Sequence, residues 1–112
     1  MPAKKTQTQF IQAEFYLKEG TFYVLKFKNE NEEFFKIGIS IHFNIRLSQI
    51  KNSSKNKYLI ELIYSKVDKI PTIAKYEYDL KIKYLNFKHI PSIKFGGHTE
   101  CFTDAILIEF FS

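Results

Sequence analysis

Two apolar runs separated by five polar residues constrain this chain more than any other feature. Thr21 to Lys28 reads Thr-Phe-Tyr-Val-Leu-Lys-Phe-Lys, and Phe34 to Ile39 reads Phe-Phe-Lys-Ile-Gly-Ile. Both are dense in aromatic and β-branched residues, which favour a pleated, half-buried backbone. Between them lies Asn-Glu-Asn-Glu-Glu, a turn by composition. The simplest structure is an antiparallel hairpin with a loop of about four or five residues. Alternation puts Phe22, Val24 and Lys26 on one face and Tyr23, Leu25 and Phe27 on the other.

The remaining elements follow from periodicity. Phe10 to Leu17 has the spacing of a short helix, with Thr8 to cap it and Gly20 to end it. Residues 1–9 are polar and read as a frayed terminus. Ser40 is placed to cap a helix over 41–51, with Ile41, Ile45, Leu47 and Ile50 as its buried stripe. Residues 52–57 read as a loop. Tyr58 to Val67 reads as a third strand, and Pro71 opens a helix to Leu85. Pro91 and Gly96-Gly97 frame an irregular region with an extended piece at Ile93 to Phe95. Thr103 then caps a last helix, Asp104 to Phe111. The expected fold is α+β, a three-stranded and mainly antiparallel sheet flanked by helices, in a single domain over 1–112.

Charge and cysteine content narrow the function classes. The formal net charge is +5, which favours polyanionic partners, nucleic acid before an acidic membrane surface. One cysteine, Cys101, excludes a disulfide within the chain and fits a reducing, cytoplasmic setting. It reads as a small core residue rather than a nucleophile. No apolar stretch is long enough to span a bilayer, and the basic N-terminus lacks the apolar run of a signal peptide.

Of the 17 basic residues, sixteen are lysine and one is arginine, Arg46. A planar, permanently charged fork can grip a phosphate at two points where lysine cannot; an ordinary surface cation is the plain alternative. Glu77 falls in the row Ile73, Glu77, Leu80, Tyr84, an apolar helix face. A carboxylate there is paired with a lysine, solvated by a cleft, or bound to a metal. Lys36 interrupts an apolar strand, which also suits an alternating solvent face. Tyr23 suits core packing with a wet tip. His42, His89 and His98 have no metal-ligand spacing, and the last two read as loop residues without a role.

In combination these residues resemble the GIY-YIG nuclease superfamily, and most of all its small phage and bacterial branch with Lys-Ile-Gly in the second motif. Thr21-Phe22-Tyr23 stands at the first motif and Lys36-Ile37-Gly38 at the second. Arg46 lies eight residues beyond Gly38, where the family carries its catalytic arginine. Ala74-Lys75-Tyr76-Glu77 resembles the segment ending in the metal-binding glutamate. Gly97-His98-Thr99-Glu100-Cys101-Phe102 resembles the branch's Gly-x-Glu-x-Phe segment. The match spans residues 21–103. The first motif keeps only its tyrosine, and no asparagine near the end matches the polar residue many members add.

The resemblance implies phosphodiester hydrolysis of DNA, in duplex form, with one divalent ion, Mg2+ or Mn2+. It implies catalytic roles for Tyr23, Lys36, Arg46 and Glu77, with Glu77 as the metal ligand and Gly38 letting the chain turn between strand and helix. Glu100 is an outside candidate that reads more simply as a surface carboxylate flanking a helix. It further implies a bacterial or phage-infected cytoplasm, with targeting by a homodimer or a partner protein. The competing expectation is an inactive module of the same fold that binds nucleic acid or a protein as a regulator.

Overall fold

The computed structural model describes residues 18–54, 57–95 and 98–111. The hairpin forms as its composition requires. Strand β1 (Glu19–Lys28) pairs antiparallel with β2 (Glu33–Ser40) in a register that sets Tyr23 opposite Gly38 and Leu25 opposite Lys36. The Asn29 side-chain oxygen accepts from the amides of Asn31 and Glu32 at 2.8 and 3.0 Å, so the loop is tied by its first residue.

Helix α1 (Phe43–Ser53) follows, then strand β3 (Leu59–Lys69), helix α2 (Ile70–Lys83) and a 3-10 turn at Leu85–Phe87. A two-residue strand β4 (Cys101–Phe102), a second 3-10 turn (Asp104–Leu107) and a short helix α3 (Ile108–Phe111) complete the described chain. The sheet is four-stranded and antiparallel in the order β3-β1-β2-β4.

The expected α+β class holds, with corrections. The sheet has a fourth strand, because β4 pairs Phe102 with Phe35 and Cys101 with Lys36. Residues 93–95 are irregular instead. Helix α1 starts at Phe43, and Ser40 makes a local turn by accepting from the His42 amide at 3.1 Å. The shift puts Phe43, Leu47 and Ile50 on the inner face and leaves Ile45 exposed. Thr103 makes no side-chain cap, and the expected last helix begins as a 3-10 turn. The helix expected over 10–17 lies outside the described residues, as do Gly96 and Gly97.

Both faces of the central strands are covered. Phe22, Val24, Phe35 and Ile37 pack against Ile70, Ile73, Leu80 and Tyr84 of α2. Tyr23, Leu25, Phe27 and Phe34 pack on the other side with Ile50 of α1, Tyr58, Phe95 and Cys101. Cys101 is the small core residue its context suggested, and burial pushes its thiol up to about 12. No described helix is long and apolar enough to cross a membrane.

The loop before β4 is fastened to the hairpin by Glu32. Its carboxylate accepts from Tyr58 at 2.8 Å, the Ser92 amide at 3.2 Å, the Ser92 hydroxyl, and His89 Nε2 at 2.7 Å. The His89 ring also stacks on Phe34 with centroids 4.8 Å apart, a structural role its sequence context did not show.

Candidate active site

Tyr23 is placed by a missing side chain. A Cβ on Gly38 would sit 2.5 Å from Tyr23 Cζ and against its hydroxyl. The ring therefore lies across the bare backbone of its cross-strand neighbour. Gly38 serves this close approach, and its expected role as a strand-to-helix turn is corrected accordingly. Phe43, the first residue of α1, closes the other side of the ring at 5.1 Å between centroids. Arg46 comes one turn later on the same side of α1, near enough for its charge to act on the phenol. Burial raises the Tyr23 pKa above the usual 10, and the Arg46 guanidinium pulls it part of the way back.

Lys36 is two residues before Gly38 and so shares its face. It is fully buried, which removes the solvent-face alternative. Its ammonium donates to the Ile37 carbonyl at 3.3 Å and to Glu100 Oε2 at 3.2 Å, and lies 5.9 Å from the Tyr23 ring centre. A buried lysine in β2 is tolerable because every donor direction meets an acceptor or a π face.

Glu77 comes from the opposite side of the sheet. On α2 it lies between Ile73 and Leu80, with its side chain 13% exposed. Burial raises its pKa, Lys81 at 3.3 Å opposes the shift, and Glu100 adds to it. A lysine partner was one expected outcome for this carboxylate; it comes from the next helical turn rather than the sheet edge.

The two faces meet because β4 is short. β4 covers the β2 edge at Phe35 and Lys36 and pairs with neither Gly38 nor Ile39. Glu100 stands at the end of β4, its carbonyl accepting from the Ile37 amide at 3.2 Å. Its carboxylate bridges the layers, with Oε2 to Lys36 and Oε1 to Lys81 at 2.9 Å. Burial acts to raise its pKa, but the lysines outweigh it and hold the carboxyl below its usual value. Glu100 is thus no surface carboxylate flanking a helix, as its sequence context suggested. The signal that could have placed it was the Gly-x-Glu-x-Phe segment. Lys81 went unnoticed because an exposed-looking lysine at i+4 of a glutamate is common on helices.

Tyr23, Lys36, Arg46, Glu77 and Glu100 therefore converge, with Lys81 as a sixth member. Glu77 and Glu100 both act electrostatically on Tyr23, and Lys36 acts on Glu77. Arg46 makes no ion pair among the described residues, so its charge is uncommitted beyond the phenol. His42 contributes only its carbonyl, which accepts from the Arg46 amide at 3.0 Å.

No group of three or more His, Cys, Asp or Glu side chains suited to a metal occurs among the described residues. The donor set still fits Mg2+ or Mn2+, hard ions bound by one or two carboxylates together with water and substrate phosphate. Glu77, a desolvated carboxylate paired with one lysine, is the residue that could supply such a ligand.

The described chain is thus an α+β domain, an antiparallel sheet with helices on both faces and a mixed-charge cluster where they meet. The chain belongs to the T5orf172 domain family, whose family model matches residues 20–109. That family is related to the GIY-YIG nuclease superfamily. No curated protein and no solved structure matches the chain.

Proposed function

We propose that this protein is a small metal-dependent DNA endonuclease. The supporting observation is the convergence of Tyr23, Lys36, Arg46 and Glu77 from four elements around one sheet edge, within a family related to nucleases. Glu77 would hold one divalent ion, whose chemistry there is Lewis-acid stabilisation of charge on the scissile phosphate and leaving oxygen. Tyr23 takes the proton from the attacking water. Lys36, 5.9 Å from the ring centre, favours the phenolate or orients the water. Arg46 holds a non-bridging phosphate oxygen as charge builds there. Duplex DNA in a bacterial or phage-infected cytoplasm is the substrate, and a homodimer or partner protein supplies targeting.

One feature favours a second reading. Lys36, Glu100, Lys81 and Glu77 form an unbroken chain of ion pairs, as a binding module without chemistry would tolerate. Supercoiled plasmid separates the two. The nuclease nicks it with Mg2+ or Mn2+, and chelator or Glu77→Ala abolishes nicking. Retention of plasmid in gel shifts, with no nicking above the Glu77→Ala background, would leave only the binding module.

A further inference from the structure

The outward face of α2 carries Tyr78 and Ile82 at four-residue spacing, 64% and 58% exposed, and Leu85, in the 3-10 turn that follows, is 58% exposed beside them. Scattered exposed apolar residues need no explanation, but three that line one cleft form a patch. They line a cleft of about 340 Å³ together with Lys81, Lys88, Glu100 and Phe102. Lys81 and Glu100 are also members of the candidate site, so the cleft adjoins it. Lys88 makes no ion pair among the described residues.

We propose that this cleft holds an unpaired nucleotide of the DNA strand being cut, next to the phosphate bound at the site. The inference rests on the nuclease reading and adds a subsite to it. An exposed tyrosine flanked by aliphatic side chains offers a stacking platform that any base can use. Lys88 is placed for the adjoining phosphate. Glu100, neutralised by two lysines, does not repel the strand and can accept from a base amino group. The net charge of +5 favours nucleic acid over an acidic-patch-seeking protein as occupant. The domain is then selective for DNA with a frayed, flapped or mismatched nucleotide beside the cut.

The test is fluorescence anisotropy in EDTA, with a labelled single-stranded oligonucleotide and the duplex of the same sequence. Tyr78→Ala should weaken single-strand binding roughly tenfold and duplex binding less than about twofold, while Tyr78→Phe keeps both. Lys88→Ala should flatten the salt dependence for the single strand by about 0.7 in log–log slope. Equal losses for both DNA forms, or none, would overturn the subsite. A dimer in sedimentation that Tyr78→Ala dissolves would overturn it in favour of a second copy of the chain. If wild type nicks plasmid yet shows no Tyr78-dependent preference, the subsite fails and the nuclease reading stands. If Tyr78-dependent binding appears in a protein that never nicks, the nuclease reading fails and takes the phosphate placement with it.

Discussion

Substituting Gly38 by alanine should damage the protein through one contact. The new methyl would lie 2.5 Å from Tyr23 Cζ, whereas unstrained carbon contacts fall near 3.5–4.0 Å. The ring must move by about 1 Å, and Phe43 on its far side blocks the way. Overpacking of this kind costs about 1–3 kcal/mol. For a domain of this size that lowers Tm by roughly 4–8 °C per kcal/mol. Backbone strain does not contribute, since Gly38 is not in the left-handed region. The control is the same change in a Tyr23→Val background. With the ring gone, alanine should be neutral or up to about 1 kcal/mol stabilising, because glycine is entropically poor in a strand. Urea denaturation of the four proteins closes a double-mutant cycle with a coupling of about 2 kcal/mol or more. Equal cost in both backgrounds, or no cost in the first, would refute the claim that Gly38 exists to seat Tyr23.

Other consequences are equally open to measurement. Glu77→Gln should be neutral or stabilising at pH 7, since a carboxylate with a raised pKa gives up stability as pH climbs past its unfolded value. In thermal melts Mg2+ or Mn2+ should raise the Tm of wild type and not of Glu77→Gln; a matching rise in both would remove Glu77 as the ligand. Lys36→Met should leave stability unchanged or improved, because Glu100 keeps Lys81, while cleavage falls by about a hundredfold. Cleavage should climb with pH through 9 without levelling, because Tyr23 titrates above 10 and only its deprotonated form accepts a proton. A plateau near neutrality would point to another base. Burial acts to raise the Glu32 pKa, but hydrogen bonds from Ser92, His89 and Tyr58 bring it down to about 2. Its contribution to stability is therefore full above the unfolded carboxylate value near 4.5 and is lost as pH falls toward 2. Glu32→Gln should flatten that acid limb of the stability curve, at a cost of about 1–3 kcal/mol at pH 7; an unchanged acid limb would mean the four bonds contribute nothing net.

What could be read from residue order was what local physics decides. The hairpin and its two faces follow from period-two alternation, and Phe22 and Tyr23 went to opposite cores as expected. The inner row of α2 follows from helical spacing, with Glu77 within it. Strand β4 was invisible because two residues carry no periodicity; its existence depends on Phe35 and Lys36 lying open at the sheet edge. The start of α1 was misplaced because Ser40 has a side chain fit for capping but spends it on a local turn. Lys36 looked like a solvent residue because its ion partner lies 64 positions away. For the same reason Glu100 and Lys81 could not be joined to the site by spacing: the link between them runs around the end of a strand that sequence did not reveal.

Single-turnover nicking by Arg46→Lys tests most directly whether this cluster acts on a phosphate. Lysine keeps the charge beside the Tyr23 phenol but loses the planar fork. In a folded variant with wild-type Tm, the rate should fall by about a hundredfold to a thousandfold, the usual loss when one donor to a developing oxyanion is removed. A rate within about threefold of wild type, well inside that range's lower bound, would contradict the assignment of Arg46 and with it the proposed site.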